Sequence, residues 1–252
     1  MGGRMLRDWM IRPLLEASAI NQRLDVVEAL TKNKSALHDL RDSLAEVKDL
    51  ERLIARLNAG TGNARDVRAL GRSLAALPDV AERCRRISSP LLDTLVSELA
   101  LLPEVVELID RAIVDEPPVA LRDGGVIRAG YHAELDELKD ASSKGRNWLV
   151  EMQAREQERT GIKTLKIRHN KVFGYYIEIS KSYAEQAPAD YQRKQTLVNA
   201  ERYITPELKE YENKILGAQE RSVELELELF AEVRGQVVTH TGAIQATASA
   251  VA

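Results

Sequence analysis

From residue 2 to about residue 113 the chain repeats apolar residues at three- and four-residue steps, which is the spacing of helices that bury one face. The clearest run contains Leu40, Leu44, Val47, Leu50, Leu53, Ile54 and Leu57. Gly60 follows it as a helix stop, and Asn63 suits the N-cap of the next helix. Breaks are expected at Pro13, residues 58–63, Pro78, residues 88–90 and Pro103. This part of the chain therefore predicts a bundle of short helices.

Residues 114–130 lose the helical period, because two prolines and three glycines interrupt them. We expect an irregular crossing there, with one short β-hairpin at residues 123–125. Two longer helices are predicted, one over residues 133–158 and one from Pro206 to about residue 246.

Between these two helices the pattern changes to alternation, which is typical of half-buried strands. Leu165 and Ile167 alternate with charged residues, and Val172, Tyr175 and Ile177 stand among β-branched and aromatic neighbours. The turn of this hairpin is predicted at His169, Asn170 and Lys171.

A glycine and a further extended segment complete the predicted β module. Gly174 brings no side chain, which suits a bulge or a close backbone approach. A proline-containing loop at residues 185–190 precedes residues 193–202, which we expect to form a third strand or extended segment. The elements together predict a mainly α protein: a multi-helix bundle with long out-and-back helices that carry a small antiparallel β domain at their far end.

Composition narrows the class of protein. The chain has 252 residues, of which 44% are hydrophobic and 30% charged, as in soluble globular proteins. It contains no apolar run of membrane-spanning length and no signal peptide, so no membrane partner is expected. Cys84 is the one cysteine, which excludes an internal disulfide framework and fits a reducing cytoplasm.

The net charge of −3 is unevenly distributed. Residues 139–204 hold thirteen Lys and Arg against eight Asp and Glu, a balance of +5 that leaves −8 for the remainder. A local basic region in an acidic protein can orient a polyanion. A charge run on a solvated helical face is the plain alternative.

The usual catalytic patterns are missing from the sequence. No phosphate-binding P-loop occurs, so no ATPase is predicted in this chain. The four histidines lie far apart and Cys84 has no partner at metal-ligand spacing, so no metal site is predicted. No nucleophile and base stand out either, and we expect neither catalysis nor a cofactor.

The remaining chemical signal is contact with nucleic acid. Charged contacts to phosphate are predicted for Arg168, Lys171, Arg193 and Lys194, and hydrogen bonds to phosphate oxygens for Asn170, Gln195, Thr196 and Asn199. His169 lies in the predicted hairpin turn with Asn170 and Lys171. Phe173, Tyr175 and Tyr176 could stack on bases, but we favour their placement in the core of the β module, where alternation would bury one tyrosine of the pair.

In their order along the chain, these motifs resemble the MutS family of DNA mismatch-repair proteins over nearly the whole length. Early motifs are residues 2–9, Pro13, Leu14, residues 23–25 and residues 49–52. Later motifs are residues 130–131, 135–138, 160–162 and 165–167, Asn170, and residues 173–177, 195–197, 199–203 and 206–208. Each motif alone is weak evidence for the family, whereas the whole set in this order is specific to it.

The resemblance implies three parts: residues 1–138 as the first part of a core and lever domain, residues 139–204 as an inserted clamp domain, and residues 205–252 as the returning part of the core and lever. In the family the clamp grips the DNA backbone without sequence preference. The resemblance therefore implies that Arg168 to Lys171 and Arg193 to Asn199 contact double-stranded DNA, while the long helices relay conformational change.

The chain departs from the family in what it lacks. The mismatch-reading domain, the connector and the ATPase with its dimer interface are missing, and both ends look cut from a longer protein. The resemblance assigns ATP, Mg²⁺, self-dimerisation and a MutL-type partner to that longer protein, in a bacterial cytoplasm near the nucleoid.

Two other classes of function stay open. A helical scaffold could use the basic hairpin to dock an acidic protein without touching DNA. A hydrolase would need a convergent site that the sequence does not show.

Overall fold

The structure, a computed structural model, describes residues 1–170, 172 and 174–252, without the side chains of residues 145 and 146. It divides into two compact units, one made of Met1–Tyr131 with Glu226–Ala252 and the other of His132–Leu225. The domain limits at residues 139 and 204, which the family resemblance implies, stay predictions.

The first unit is built of helices. In chain order these are α1 (Gly2–Ile11), α2 (Ala17–Lys32), α3 (Lys34–Glu46), α4 (Leu50–Asn58), α5 (Ala64–Arg85), α6 (Pro90–Ser97) and α7 (Pro103–Ala112). The last helix of the chain, α10 (Thr241–Val251), also belongs to it. Its core includes the fully buried side chains of Leu50, Ile54, Leu57, Leu70, Leu74, Leu77 and Ile109.

The apolar run from residue 40 to residue 57 is not one helix, because α3 ends at Glu46 and α4 begins at Leu50. Asp49 caps α4 by accepting a hydrogen bond from the Arg52 amide at 3.1 Å. It also receives two hydrogen bonds from the Arg4 guanidinium, which hold the pKa of its carboxyl well below the usual range. The apolar spacing continues through the break, so periodicity alone could not reveal it.

The break predicted at Pro78 is wrong, because Pro78 lies inside α5. A proline in a helix interior removes a hydrogen bond and costs about 3 kcal/mol. The buried residues of α5 on both sides of it outweigh that loss, since each large apolar side chain contributes about 2 kcal/mol. The predicted cap at Asn63 is confirmed: Asn63 and Asp66 exchange side-chain and backbone hydrogen bonds, each at 3.1 Å.

Residues 113–130 form the expected irregular crossing, but the predicted hairpin at residues 123–125 is absent. A 3₁₀ turn occupies Leu121–Asp123, and a single antiparallel bridge joins Ile113 to Ile127. Gly124 and Gly125 both have positive φ, of 70° and 76°. Both glycines therefore adopt a backbone conformation that other residues rarely take, which suits a turn in this crossing.

The second unit combines helices with a sheet. Helix α8 (Ala133–Thr160) leads into β1 (Lys166–Asn170) and β2 (Gly174–Ser180), and a 3₁₀ turn (Lys181–Gln186) precedes β3 (Gln192–Thr196) and β4 (Ala200–Ile204). Helix α9 (Pro206–Val238) starts in this unit. It ends at Val238, eight residues before the predicted limit at 246. The Thr241 hydroxyl donates a hydrogen bond to the Val238 carbonyl at this end, at 2.6 Å. With 67% of residues helical and one small antiparallel sheet, the mainly α prediction is confirmed.

One apolar cluster holds the second unit together. Its members come from both helices and the sheet: Leu149, Met152, Ile162, Leu165, Ile177, Ile179, Tyr191, Tyr203, Leu208 and Ile215. Trp148 of α8 also stacks on Tyr211 of α9, with ring centres 3.6 Å apart. The sheet is therefore fixed to α8 and α9 by one of its faces.

The close approach of α5 and α7 gives a test of the first unit. Ile109 is fully buried, and its Cγ2 lies 2.8 Å from where a Cβ of Gly71 would be. Ile109→Ala should therefore lower the free energy of unfolding by about 2–5 kcal/mol, because it leaves a cavity. The matched control is Glu107→Ala on the exposed side of α7, which should stay within about 0.5 kcal/mol of the parent. Urea unfolding followed by circular dichroism measures both, and equal effects would contradict this packing.

Candidate nucleic-acid interface

The four strands form one antiparallel sheet in the order β1-β2-β4-β3. Register places Lys166 opposite Glu178, Glu178 opposite Arg202, and Arg202 opposite Gln195. Directly opposed residues share a face of the sheet, so these four lie in one row. The neighbouring row, from Ile167 through Ile177 and Tyr203 to Arg193, occupies the other face, which packs on the helices.

The first hairpin turns later than predicted. His169 pairs with Tyr175 and Asn170 pairs with Gly174, so both predicted turn residues belong to β1. The Asn170 side chain accepts a hydrogen bond from the Val172 amide at 3.0 Å, and Gly174 has a φ of 72°, which together form the reversal. Lys171 and Phe173 lie outside the described residues.

The segment predicted as a third strand or extended segment over residues 193–202 is instead a second hairpin. Strands β3 and β4 pair through a short turn, which the Leu197 amide closes by donating to the Ala200 carbonyl at 2.8 Å. Asn199 lies in this turn, and its carbonyl accepts from the Lys181 amide at 3.0 Å. The sequence did not indicate this reversal, because the turn residues 197–199 include neither glycine nor proline.

Lys194 is the extra residue of a β-bulge. Arg193 faces Tyr203 and Gln195 faces Arg202, which leaves Lys194 without a cross-strand partner. A bulge bends its strand and re-aims a side chain. Lys194 is exposed, and the described residues include no ion pair for it.

The structure does not gather the predicted contact residues into one cluster. Arg168, His169 and Asn170 lie on the edge strand β1, whereas residues 193–196 lie on the opposite edge strand β3, about 14 Å away at three strand spacings. The two turns also lie at opposite ends of the sheet, because Asn170 pairs with Gly174 at the start of β2 while Ser180 at its end pairs with Ala200.

Glu178 lies between two arginines on the sheet face that carries the row of charged residues. Arg168 Nε is 3.2 Å from one of its oxygens and Arg202 Nε is 3.5 Å from the other. Arg202 also donates to Gln195 at 2.8 Å, and its guanidinium lies 4.5 Å from the centre of the Tyr176 ring. The polar side chains therefore form one network that crosses all four strands.

Two cations of this face were missed in the sequence. Lys166 is exposed at the start of β1, and its alternation with apolar neighbours was a signal that it shares a face with Arg168. Arg202 had no such signal, because its place beside Glu178 depends on the pairing of strands that are distant in the chain.

Arg193 is held by a buried pair on the other face. Its NH1 lies 3.4 Å from Glu201, which also accepts a hydrogen bond from the Tyr203 hydroxyl at 2.5 Å. Burial and the neighbouring Glu201 raise the pKa of Tyr203 to about 12. Arg193 itself stays 63% exposed at the side chain, so its guanidinium can still reach solvent.

Tyr175 and Tyr176 lie on opposite faces of the sheet: Tyr175 packs against the apolar cluster, and Tyr176 lies beneath Arg202 on the charged face. Tyr176 is 4% exposed, whereas Tyr175 is half-buried beside His169, with ring centres 4.8 Å apart. This agrees with the interpretation of the pair as part of the sheet, with one ring buried.

Helix α8 positions the edge strand β1. Gln153 accepts a hydrogen bond from the Ile167 amide at 2.9 Å, and Gln157 donates to the Leu165 carbonyl at 2.7 Å. One helical turn away, the buried Glu156 accepts from the Tyr191 hydroxyl at 2.7 Å. Burial and this carboxylate raise the pKa of Tyr191 above its usual range. Hydrogen bonds from two glutamines therefore tie α8 to β1, which carries three of the predicted contact residues.

Among the described residues, no three His, Cys, Asp or Glu side chains meet in an arrangement suited to a metal ion. None of their helices is both long and apolar enough to span a membrane.

Comparison with known proteins gives the family. A sequence model described as MutS domain III matches residues 1–252. The DNA mismatch repair protein MutS of Myxococcus xanthus is 52% identical over 100% of this chain and 28% of its own length. The proteins of the same name from Methanosarcina barkeri and Acetivibrio thermocellus are 49% and 45% identical, over 98% and 100% of the chain.

The fold defines a mainly α domain that carries an antiparallel sheet on long helices. The chain belongs to the MutS family of DNA mismatch-repair proteins, of which it forms domain III. It spans about 28% of the length of the first curated relatives it matches. The resemblance found in the sequence is thereby confirmed.

The Tyr203–Glu201 hydrogen bond predicts an alkaline dependence of stability. Because folding raises the pKa of Tyr203 from 10 to about 12, the hydroxyl stabilises the fold below pH 10, and the benefit falls away as the pH rises to 12. Tyr203→Phe should therefore lower the free energy of unfolding by about 1–2 kcal/mol at pH 8. The difference from the parent should shrink between pH 10 and 12. Urea titrations at pH 8, 10 and 11 measure it, and a constant difference would rule out this linkage.

Proposed function

We propose that this domain holds the backbone of duplex DNA through its β-sheet, without reading base sequence, as part of a mismatch-repair protein. The observation that carries the proposal is the group of three cations, Lys166, Arg168 and Arg202, that strand register places on the same face of the sheet. Residues 139–204 carry a balance of +5 in a chain of net charge −3. A polyanion would therefore be drawn to this region over the rest of the chain.

Ion pairing sets how these cations would meet phosphate. Arg168 shares Glu178 with Arg202, and Arg193 holds Glu201, so each guanidinium is oriented by a carboxylate. A guanidinium has five N–H donors, which leaves several for phosphate oxygens. Contacts of this kind position a duplex and carry no sequence information.

Lys194 is the most direct candidate contact on β3. The bulge turns it out of the ladder, it is exposed, and the described residues offer it no carboxylate. We place it, with Lys171, among the residues that would neutralise phosphates as simple charges.

The rest of the proposal concerns the longer protein. Helix α9 has 33 residues, about 50 Å of helix, and contributes to both compact units. We infer that it relays conformational change between the DNA-holding sheet and parts of the protein beyond this chain. Catalysis with ATP and Mg²⁺, self-dimerisation and a MutL-type partner belong in this proposal to those parts, in a bacterial cytoplasm near the nucleoid.

A scaffold function is the second candidate, and one observation favours it. Lysines and bulges on edge strands also prevent a sheet from pairing with another chain, and β3 has both. On this view the cations protect the edge, and DNA plays no part.

Fluorescence anisotropy of a labelled duplex, matched or mismatched, separates the two candidates. The DNA-holding function predicts equal affinity for both duplexes, and a log affinity that falls with log salt by about 0.9 per phosphate neutralised. The scaffold predicts no binding at low salt and aggregation once the edge lysine is removed.

Lys194→Ala gives the sharper form of this test. It should weaken DNA binding and make the salt slope shallower by about 0.9, because one phosphate contact is lost. Lys171→Ala should act in the same way. The matched control is Lys34→Ala, which removes the same charge from an exposed position on α3. If Lys34→Ala and Lys194→Ala weakened binding equally, the loss of net charge alone would explain the effect, and the contact assigned to Lys194 would be contradicted. Arg193 is a poorer probe, because its removal strands the buried Glu201.

A further inference from the structure

The first β-hairpin meets a buried carboxylate where its second strand begins. Gly174 opens β2 with a φ of 72°, and a Cβ built there would overlap the carboxylate of Glu212, whose Cδ would lie only 2.5 Å away. Two constraints therefore require glycine at position 174: the positive φ and the space that Glu212 fills.

Glu212 stands in the apolar stripe of α9. Leu208, Glu212 and Ile215 follow at steps of four and three, so they share one helix face, and all three are buried. Leu208 and Ile215 belong to the apolar cluster that fixes α9 to the sheet. The position of the carboxylate is therefore set by the packing on either side of it.

A carboxylate in an apolar stripe is unfavourable unless it is paired. Lys209 meets this need in part, because its Nζ donates to Glu212 at 2.9 Å while the lysine itself stays exposed. The other carboxylate oxygen faces the backbone at Gly174. A plain leucine would fill the stripe at lower energetic cost, which indicates a specific role for the acid.

We infer that Glu212 is a positioning residue, which fixes the direction of the hairpin from α9 and so aims Arg168, His169 and Asn170. This inference rests on the proposed DNA-holding function for its consequence, but not for its geometry. Asn170 pairs directly with Gly174, so a shift at Gly174 passes to β1 through the last pair of the ladder.

The test variant, Glu212→Gln, removes the negative charge of the side chain and keeps its volume. Glu212→Gln should speed amide hydrogen exchange of residues 166–170 and 174–177 by tenfold or more in the free protein. The matched control is Glu210→Gln, which removes an exposed carboxylate paired with Lys214 on the same helix and should leave that exchange within twofold. Equal exchange in Glu212→Gln and the parent overturns the inference, whatever happens with DNA.

DNA affinity gives the second readout. Removing a negative charge near a polyanion would by itself raise affinity, and Glu210→Gln should show that small rise or no change. Glu212→Gln should instead lower affinity about fivefold or more, with an unchanged salt slope. Faster exchange with unchanged DNA affinity would support the positioning and count against the proposed DNA-holding function, so the two failures are distinguishable.

Folding is checked by circular dichroism. If Glu212→Gln does not fold, Glu212→Asp makes the same comparison, because it keeps the charge and withdraws the carboxylate from Gly174 by one methylene. Gly174→Ala should speed exchange in the parent and add less to a Glu212→Ala variant, in which the clash is gone. Strictly additive effects would contradict direct contact between these residues.

Discussion

Burial of one face of the four-stranded sheet is the constraint on which the candidate interface depends. Ile177, Ile179 and Tyr203 pack into the cluster that includes Leu208 and Ile215 of α9, and each large apolar side chain contributes about 2 kcal/mol. An exposed ion pair such as Arg168–Glu178 contributes about 0–1 kcal/mol. Because side chains alternate with a period of two, a slip of one residue would bury the cations and expose the isoleucines. The apolar face therefore decides where every cation of the other face lies.

Buried carboxylates add orientation to this packing. Glu156 braces Tyr191 against α8, Glu201 joins Tyr203 to Arg193, and Glu212 fills the space beside Gly174. Such groups add little net stability, since the desolvation of a charge offsets most of its attraction. They do define one arrangement of the strands, because any other would leave a charge unpaired in the core. The sheet is thus held in place by apolar contacts and oriented by charged ones.

Positive charge is unevenly distributed over the domain. The excess of basic residues lies in residues 139–204, where the outer strands of the sheet carry Arg168 on one edge and Arg193 and Lys194 on the other. Edge strands expose unpaired backbone groups. Cations on these strands discourage pairing with another chain, and they also attract an anionic surface.

The sequence by itself determined the class of fold, the limits of α8 within two residues, the N-cap at Asn63 and the family, because these follow from local spacing, caps and ordered motifs. It missed the break at Asp49, the continuity of α5 through Pro78 and the hairpin at residues 197–199, since each depends on local hydrogen bonds or packing that apolar spacing does not reveal. It could not show that the contact residues on β1 and those on β3 lie at opposite edges of the sheet. Strand order, register and the contacts of Arg202 with Glu178 and of Glu212 with Gly174 join residues far apart in the chain, and only the burial of a shared face selects among their possible pairings.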